Sequence, residues 1–476
     1  MVGIILLFVG TCIIPSTAQD IEKSQSTSRG NWLYVGGSGP GNYTRIRDAI
    51  NDAQDGDTIF VYDDSSPYAE SFWIDKSIQL IGENKITTIL NATGQTNIHV
   101  WAPQVLITGF TLLNRHEDYD SYGVDAFDSE YLTFKNNIVI GCDYGLQLSY
   151  FSNCTIENNE IRDGTVGIDA YHIFTSTFAS NTFIDNKCGI ELNNARNNLL
   201  SNNTFTNNGM SLVDYAYPNT FIGNTVNGKA LLYLENESDM IIDNEPIGQI
   251  LLVGCNYIKI KNLDLSNVTV GIEFINTNNC LLTNTTIQFN QYVGILFLEV
   301  CHNNIISDNR INFNGNGIVV ESYFTFAFNR IIGNSVRFNS YGGIYLNGAG
   351  NIVKYNVIEN NSEGIFIIGG VLNLISKNVI RNNSQIGLEI AFSGLNLIKS
   401  NNIMQNKRNV LFEMMLGTVF FRNYWKPYLG FGPKAIWGLQ WIIVGFDPRQ
   451  GFPILLPIPW VKFDWLPARH PYDIGV

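Results

Sequence analysis

The stretch that decides the fold is GIELNNARNNLLSNNTFTNN, residues 189–208. Eight of its twenty residues are asparagine, and its apolar residues occur only in short groups, such as Ile190 with Leu192. No group is long enough to form a hydrophobic core by itself. The stretch therefore has to bury its apolar side chains by stacking against similar units.

Similar units recur along most of the chain. Gly145, Gly167 and Gly189 each open a related segment and are spaced 22 residues apart. After a less regular section the unit returns at six further glycines: Gly271, Gly294, Gly317, Gly343, Gly364 and Gly387. Repeats of this length are typical of stacked architectures, in which each unit buries its apolar face against the next.

The apolar positions inside each unit alternate with polar ones, and asparagine or glycine interrupts them after a few residues. This period of two predicts short strands, and no unit shows the spacing of a helix. Leucine-rich repeats have a similar length, but they would show leucine-dominated positions, one asparagine per unit and a helical or irregular return. We therefore predict an all-β, single-stranded, right-handed parallel β-helix over residues 91–412.

Asparagine recurs at the bend after the second strand of each unit. At this bend we expect a left-handed backbone, which asparagine tolerates. Neighbouring coils lie roughly 4.8 Å apart, so that stacked amides can bond to one another, whereas stacked charges would repel. The predicted ladder consists of Asn158, Asn181, Asn202, Asn284, Asn309, Asn334, Asn356, Asn378 and Asn401.

Residues 31–90 do not follow the repeat and are predicted to cap the first coil. They indicate a strand, a glycine loop, an amphipathic helix and a second strand. We expect Thr44 to be the helix N-cap. The predicted inward face of the helix consists of Ile46, Ala49, Ile50 and Ala53. The cap would cover a sheet edge that otherwise promotes aggregation.

Residues 413–476 form the second predicted cap, where asparagine gives way to tryptophan and proline. Large aromatic residues in such a segment favour packing over a sugar-binding platform. The tryptophans concerned are Trp425, Trp437, Trp441, Trp460 and Trp465.

The overall charge excludes some classes of partner. Only 15% of the 476 residues are charged, and the formal net charge is -13. Binding to nucleic acid or to an anionic membrane needs a basic surface, which this chain lacks.

The N-terminus indicates export. Residues 4–14 are apolar and small residues follow them up to Ala18, so that residues 1–18 are predicted to be a signal peptide. No other segment is long enough to span a bilayer, which predicts a secreted or cell-surface protein without a transmembrane anchor after cleavage. Candidate N-glycosylation sites fit this prediction: Asn42, Asn91, Asn236 and Asn267.

Metal-binding motifs are absent from the sequence. The seven cysteines include no CxxC pair, and the five histidines are scattered at His99, His116, His172, His302 and His470. Copper prefers clustered imidazole or sulfur ligands, and the methionines form no cluster either. We therefore predict no metal and no cofactor, although copper and calcium are not excluded.

One face of the repeat carries acidic residues. The third position of successive G-I-x-L strands places Asp125, Gln147, Asp169 and Glu191 in one exterior column. Like charges in register lower stability, so this column is a candidate carbohydrate-binding site. Neighbouring coils would bring Asp169 within roughly 5 Å of Glu191, a separation used by retaining glycosidases. Aromatic surface nearby comes from Phe127, Tyr171 and His172. A solvated acidic face is the alternative interpretation.

Three segments together resemble a known family: the G-I-x-L…N units, NYTRIRDAINDAQDGDTIFVYD from Asn42, and ALLYLENES from Ala230. They are similar to the NosD-like family of exported β-helix proteins, and most similar to its archaeal members. The resemblance implies a pectin lyase-like fold and a domain shared with carbohydrate-binding proteins and sugar hydrolases. It also implies a link to copper, because the named member helps to supply copper to nitrous oxide reductase.

Three functional classes stay open at this point. The first is a binding or structural protein outside the cell, with a polysaccharide or cell-surface glycan as its partner. The second is a polysaccharide hydrolase, lyase or epimerase that uses the acidic column. The third is a copper-delivery factor. The sequence lacks the DPHE motif of mannuronan epimerases, and fold alone does not decide among the classes.

Overall fold

The repeats build a right-handed parallel β-helix of about 18 turns in the computed structural model. The structure describes residues 30–114, 121–428, 431–446 and 453–475. Two stacks of coils follow one another along the chain, residues 30–227 and residues 229–475. Nearly every element is a short strand, as predicted. Each coil consists of short segments in which apolar and polar residues alternate, and the chain turns after each of them.

The first stack contains one helix, α1 (Ile46–Asp52), and 23 strands. The strands are β1 (Trp32–Val35), β2 (Thr58–Val61), β3 (Phe72–Ile74), β4 (Gln79–Gly82), β5 (Ile89–Asn91), β6 (Ile98–Val100), β7 (Leu106–Thr108), β8 (Thr111–Leu113), β9 (Tyr122–Phe127), β10 (Thr133–Lys135), β11 (Ile138–Ile140), β12 (Tyr144–Ser152), β13 (Thr155–Glu157), β14 (Glu160–Arg162), β15 (Val166–Phe174), β16 (Thr177–Ala179), β17 (Thr182–Ile184), β18 (Cys188–Asn193), β19 (Leu199–Ser201), β20 (Thr204–Thr206), β21 (Met210–Val213), β22 (Thr220–Ile222) and β23 (Thr225–Val226).

The second stack continues with strands β24 to β50. They are β24 (Lys229–Glu235), β25 (Ile241–Asp243), β26 (Ile247–Val253), β27 (Lys259–Lys261), β28 (Val270–Ile275), β29 (Leu281–Thr283), β30 (Thr286–Gln288), β31 (Val293–Leu298), β32 (Ile305–Ser307), β33 (Arg310–Asn312), β34 (Asn316–Phe326), β35 (Arg330–Ile332), β36 (Ser335–Arg337), β37 (Gly342–Ala349), β38 (Ile352–Lys354), β39 (Val357–Glu359), β40 (Glu363–Ile368), β41 (Leu374–Ser376), β42 (Val379–Arg381), β43 (Ile386–Gly394), β44 (Leu397–Lys399), β45 (Asn402–Met404), β46 (Arg408–Leu416), β47 (Val419–Phe421), β48 (Tyr424–Lys426), β49 (Lys434–Phe446) and β50 (Pro453–Asp464).

Each stack has three parallel sheets, and two of them matter for the site. Sheet 3 of the first stack runs in the order β3-β6-β9-β12-β15-β18-β21, so that β21 lies at its edge. Sheet 4 is the corresponding sheet of the second stack and begins with β24, β26, β28, β31, β34 and β37. The two stacks are joined where β23 pairs antiparallel with β24.

Each corner of a coil uses two residues in succession. The first has a left-handed backbone, as Thr175, Ser180 and Asp185 do at the three corners of one coil. The second is a buried polar residue, which in that coil is Ser176, Asn181 or Asn186. The left-handed residue turns the chain, and the buried one bonds to the neighbouring coils.

Asn181 shows how a buried corner amide is satisfied. Its backbone N–H donates to Asn203 Oδ1 at 3.0 Å, and its Nδ2 donates to Asn203 Oδ1 at 3.1 Å and to the Ile156 carbonyl at 2.8 Å. The amide thus links three consecutive coils. The same corner carries equivalent amides in both stacks: Asn137, Asn159, Asn203, Asn224, Asn309, Asn334, Asn356, Asn378, Asn401 and Asn423.

Three of the nine predicted ladder positions lie outside the buried amide column. Asn158, Asn202 and Asn284 precede the buried column and are the left-handed residues themselves, with φ between 48° and 56°. The prediction assigned the left-handed backbone and the stacked amide to one residue, whereas most corners divide these tasks between two. Asn284 does both, because its Nδ2 donates to Asn262 Oδ1 in the neighbouring coil. The other two corners carry comparable columns that the prediction missed: Asn198, Asn219, Asn304, Asn329, Asn351, Asn373, Asn396, Asn290, Asn314, Asn339, Asn361, Asn383 and Asn406.

The N-terminal helix lies where it was predicted, but its cap differs. Thr44 is not the N-cap, because the helix begins at Ile46 and Arg45 occupies the cap position without a side-chain bond. The carboxylate of Glu70 accepts the free N–H groups of Ile46 at 3.0 Å and Arg47 at 3.2 Å instead. A carboxylate at a helix N-terminus stabilises these unpaired donors and the helix dipole.

The C-terminal end is closed by an antiparallel hairpin of β49 and β50. Asp464 is fully buried and takes the place of the next corner amide, accepting from Asn423 N at 2.8 Å and Trp425 Nε1 at 3.0 Å. The predicted packing role holds for Trp425, which is buried, but Trp437, Trp460 and Trp465 are exposed. A carboxylate can end an amide column because it accepts hydrogen bonds and has no N–H group that would need a further acceptor.

The side of sheet 4 covers the open end of the first stack. Strand β26 is buried at all seven positions. Ile250 and Leu252 point into the core of the second stack, whereas Leu251 and Val253 pack with the core of the first. A strand that is buried on both faces is a continuous apolar run. Its sequence therefore lacks the alternation of apolar and polar residues that marks the other units.

Side chains of the second stack also accept hydrogen bonds from the backbone N–H groups at the edge of sheet 3. The N–H of Met210 donates to Gln249 Oε1 at 3.0 Å, and the N–H of Leu212 donates to Glu273 Oε2 at 3.0 Å. Thr269 Oγ1 accepts the N–H of Gly209 at 2.9 Å. These bonds replace the hydrogen bonds that a further coil would supply, and they prevent this edge from pairing with the edge of another sheet.

The two-residue corner predicts unequal effects of substituting neighbouring asparagines. Asn203→Ala leaves the Asn181 N–H without its acceptor and removes the amide bonds to Asn181 Nδ2 and the Phe178 carbonyl, and we expect the free energy of unfolding to fall by about 2–4 kcal/mol. Asn202→Gly, its matched control, keeps the left-handed backbone and should leave stability nearly unchanged. Denaturant unfolding of both variants measures the difference, and equal losses would contradict the assignment.

The buried carboxyl group of Glu273 should make the free energy of unfolding depend on pH. Burial raises the pKa of its carboxyl from 4.5 to about 8, so the folded state binds a proton that the unfolded state has released. This stability is fully present below the unfolded pKa and decreases as the pH rises towards 8, by about 3 kcal/mol between pH 5 and pH 8. Glu273→Gln should remove this decrease, while Glu237→Gln at an exposed site should keep it. Unfolding curves at the two pH values check the prediction, which fails if Glu273→Gln retains the wild-type slope.

Candidate functional site

The outward side chains of sheet 3 form one continuous column across six neighbouring strands. The pairing register places Trp73 beside His99, His99 beside Asp125, and so on along the sheet. We call this set the outer column: Trp73, His99, Asp125, Gln147, Asp169 and Glu191. The four residues selected from the sequence thus lie together, and two further coils extend the column at its N-terminal end.

Aromatic rings dominate the N-terminal end of the outer column. The Trp73 and His99 rings stack with centroids 3.9 Å apart and an interplanar angle of 8°. Trp101 meets Trp73 edge-on at 4.7 Å, and the two tryptophans are 49% and 59% exposed. His99 Nδ1 lies 3.2 Å from Asp125 Oδ2, which fixes the imidazole ring on the sheet. The rings of Trp73, Trp101 and His99 therefore form a rigid, solvent-facing surface, which we call the tryptophan platform.

A second aromatic cluster lies beside the middle of the outer column. Tyr150 lies at its centre, with ring centroids 5.4 Å from Phe127, 5.5 Å from Tyr171 and 4.9 Å from His172. Phe127, Tyr171 and His172 were predicted from the sequence, whereas Tyr150 was not. Asn194 Nδ2 lies 3.2 Å from His172 Nδ1, so the imidazole is held by the neighbouring coil.

Two carboxyl groups occupy the C-terminal end of the outer column. Asp169 and Glu191 are in direct register and half-buried. Burial raises the pKa of both groups, and the charge of Asp169 further raises the pKa of Glu191. Neither carboxylate has a hydrogen bond or an ion pair within the part of the chain that the structure describes. Such an uncompensated pair lowers stability, which makes it a candidate functional site.

Sheet 4 supplies a second wall beside this carboxyl pair. Burial raises the pKa of the Tyr292 hydroxyl, and the charges of Cys188, Glu191, Tyr144 and Asp169 raise it further, so the pair acts on Tyr292 electrostatically. Beyond the buried Glu273, the outward positions of sheet 4 are mostly apolar: Leu296, Val319, Tyr345 and Phe366. The carboxyl end therefore lies in a corner with one acidic and one apolar wall.

A large cleft runs along the neighbouring corner of the first stack, and its lining includes neither Asp169 nor Glu191. It has a volume of about 840 Å³ and a lining rich in amide and carboxyl groups, including Asn114, Asp163 and Asp185. It shares Lys187 and Gln291 with an adjoining cleft of about 630 Å³, which Tyr292 also lines. These clefts extend the polar surface next to the carboxyl end of the outer column.

The candidate glycosylation sites differ in accessibility. Asn236 and Asn267 are exposed on left-handed turns. Asn91 lies in β5 and is half-buried, and Asn42 donates its side-chain amide to the Gly36 carbonyl.

The donor groups for copper do not come together in the described ranges, where no three histidine, cysteine or acidic side chains form a metal-binding group. Six cysteines are buried, and burial raises the pKa of Cys301 to about 12, which disfavours the thiolate that metals require. His302 Nδ1 lies 2.7 Å from the Phe326 carbonyl. His116 and Cys12 lie outside the described residues. The described residues therefore do not fit a copper site.

The fold and the outer column define a parallel β-helix protein with an elongated, aromatic and acidic surface. The family model described as "Periplasmic copper-binding protein (NosD)" matches residues 50–245 and 229–430. The chain belongs to the NosD family, as its sequence motifs predicted. None of the curated proteins matches the sequence. Within the described residues, no helix has the length and apolarity needed to cross a bilayer.

Solved β-helix structures are similar only at the level of the fold. The mannuronan C-5 epimerase AlgE6 A-module of Azotobacter vinelandii is 13% identical, with 79% of this chain and 93% of that chain covered and a TM-score of 0.30. The GH87 alpha-1,3-glucanase catalytic unit of Streptomyces thermodiastaticus is 12% identical, with 80% and 62% covered and a TM-score of 0.32. The DFA-IIIase of Arthrobacter chlorophenolicus is 10% identical, with 78% and 95% covered and a TM-score of 0.31. These values carry no argument about activity.

Proposed function

We propose that this protein is an exported β-helix protein that binds a polysaccharide along the outer column. The observation that carries the proposal is the alignment, on one face of one sheet, of an exposed tryptophan platform with unpaired carboxyl groups. A fold can host many functions, so the proposal depends on this face and not on the β-helix itself.

Sugars match the two kinds of surface that the outer column offers. A pyranose ring has an apolar face that packs against aromatic rings, as Trp73 and Trp101 present them. Its hydroxyl groups donate hydrogen bonds, and the unpartnered carboxylates of Asp169 and Glu191 are strong acceptors. The aromatic cluster around Tyr150 lies between these ends. A linear glycan would therefore find suitable contacts along the whole sheet.

Export is proposed from the family and the sequence together. The matching family is described as periplasmic, and sites such as Asn236 and Asn267 would be accessible to glycosylation. The predicted signal peptide, residues 1–18, lies outside the described residues. We propose that the mature protein is secreted or lies at the cell surface, where polysaccharides are abundant.

The tryptophan platform gives the most direct test of this proposal. Trp73→Ala combined with Trp101→Ala should weaken glycan binding at least roughly 10-fold, because each aromatic contact with a ligand is worth about 1 kcal/mol. Trp437→Ala removes a tryptophan of similar exposure, 61%, on the C-terminal hairpin and should bind like the wild type. Calorimetry on the best ligand from a glycan panel measures these affinities. Equal binding by all three proteins would reject the outer column as the binding surface.

A second candidate function is cleavage of the bound polysaccharide by Asp169 and Glu191. The observation favouring it is that burial raises the pKa of both carboxyls, which suits a group that must hold a proton near neutral pH. In hydrolysis, one carboxyl would protonate the glycosidic oxygen while the other attacked the anomeric carbon or activated water. Lyase or epimerase chemistry would use the same pair for proton transfer.

Turnover separates this enzymatic function from binding alone. If the pair is catalytic, Asp169→Asn and Glu191→Gln should each lower the rate of product formation by roughly 10²-fold or more. Asp239→Asn at an exposed turn is the control. Neither test variant should lower the melting temperature, because each removes an uncompensated charge. Product formation that both variants retain, or that the wild type lacks, would leave polysaccharide binding as the function.

A further inference from the structure

We infer that the ligand of the outer column is an uncharged polysaccharide, and that a segment of about six sugar units fills the site. This inference rests on the proposed function, since it specifies the class of glycan bound by the same surface. Two independent features carry it: the charge of sheet 3, and the distance between the two ends of the outer column.

The charge of sheet 3 disfavours an acidic glycan. The seven strands of the sheet contain no lysine or arginine. Asp125, Asp169 and Glu191 supply three carboxyl groups in the outer column. A uronate bound here would place its carboxylate against like charges at short range, without a cation to offset the repulsion.

Arg47 and Lys76 border the sheet at β3, where they are held by the carbonyls of Ser71, Ile50 and Asn51. Two further described cations border it at β18. Lys187 precedes β18 and lines the clefts at the neighbouring corner. Arg196 follows β18, and its guanidinium Nε donates to the Tyr215 carbonyl at 3.2 Å. None of these four cations belongs to the outer column. An acidic glycan on this face would therefore gain little from them.

The length of the site follows from the coil spacing. Trp73 and Glu191 are five strand-to-strand steps apart, which corresponds to about 24 Å at the spacing of parallel strands. A hexose in an extended chain is about as long as one step. A glycan that contacts both the tryptophan platform and the carboxyl pair therefore needs about six units. Shorter oligosaccharides reach only one end.

Matched oligosaccharide series test the inference on the purified protein. The probes are cello-, xylo- and manno-oligosaccharides of two to eight units as the uncharged arm, with oligogalacturonides and oligomannuronates of the same lengths as the charged arm. We expect the best uncharged ligand to bind at least roughly 10-fold more tightly than any charged one, with affinity rising up to about six units and then levelling. Trp73→Ala should remove this gain, so that affinity no longer rises with length up to about six units.

A charge-neutral variant shows whether the carboxylates set the preference. Asp125→Asn combined with Asp169→Asn and Glu191→Gln should reduce the preference for uncharged glycans at least roughly 10-fold, by improving uronate binding. Tighter binding of a charged series by the wild type, or affinity independent of length, would overturn this inference and leave the proposed function standing. No binding of either series would reject both.

Discussion

The hydrogen bonds of the buried corner amides are the interaction on which the structure depends. A coil of this protein cannot form a core alone, so each coil must be fixed to the next at every corner. Asn181 does this with both its backbone N–H and its side chain. Charged residues at these positions would repel their copies in neighbouring coils, which accounts for the low charge of a chain so rich in asparagine. Where the column through Asn423 ends, Asp464 supplies an acceptor in place of the missing amide.

The junction between the stacks solves the same problem in a different way. The edge of sheet 3 has no next coil, and Gln249 and Glu273 of sheet 4 accept its N–H groups instead. This arrangement turns the side of the second stack towards the outer column. At the corner that results, the charges of Asp169 and Glu191 contribute to the raised pKa of Tyr292. The candidate site is therefore a consequence of how the open end of the first stack is covered.

Features that follow from the local repeat pattern could be predicted from the sequence. Contacts between segments that are distant along the chain could not. Alternation within each unit was enough to predict the β-helix and the alignment of Asp125 and Glu191 in one column. It misplaced Asn202 by one residue, because the pattern cannot separate the turning residue from the stacked one. Trp73 was missed because the first coils lack the G-I-x-L signature. The wall formed by sheet 4 was missed because a strand buried on both faces, such as β26, has no alternation to reveal its second contact.

Hydrogen exchange with and without a bound neutral hexasaccharide tests the central claim, that the outer column is the ligand-binding surface. The account predicts slower exchange in peptides from β3 through β18 that belong to sheet 3, and from the segment around Tyr292. Exchange in the C-terminal hairpin of β49 and β50 should stay unchanged. Protection confined to that hairpin, or to the opposite sheets of the first stack, would contradict the account.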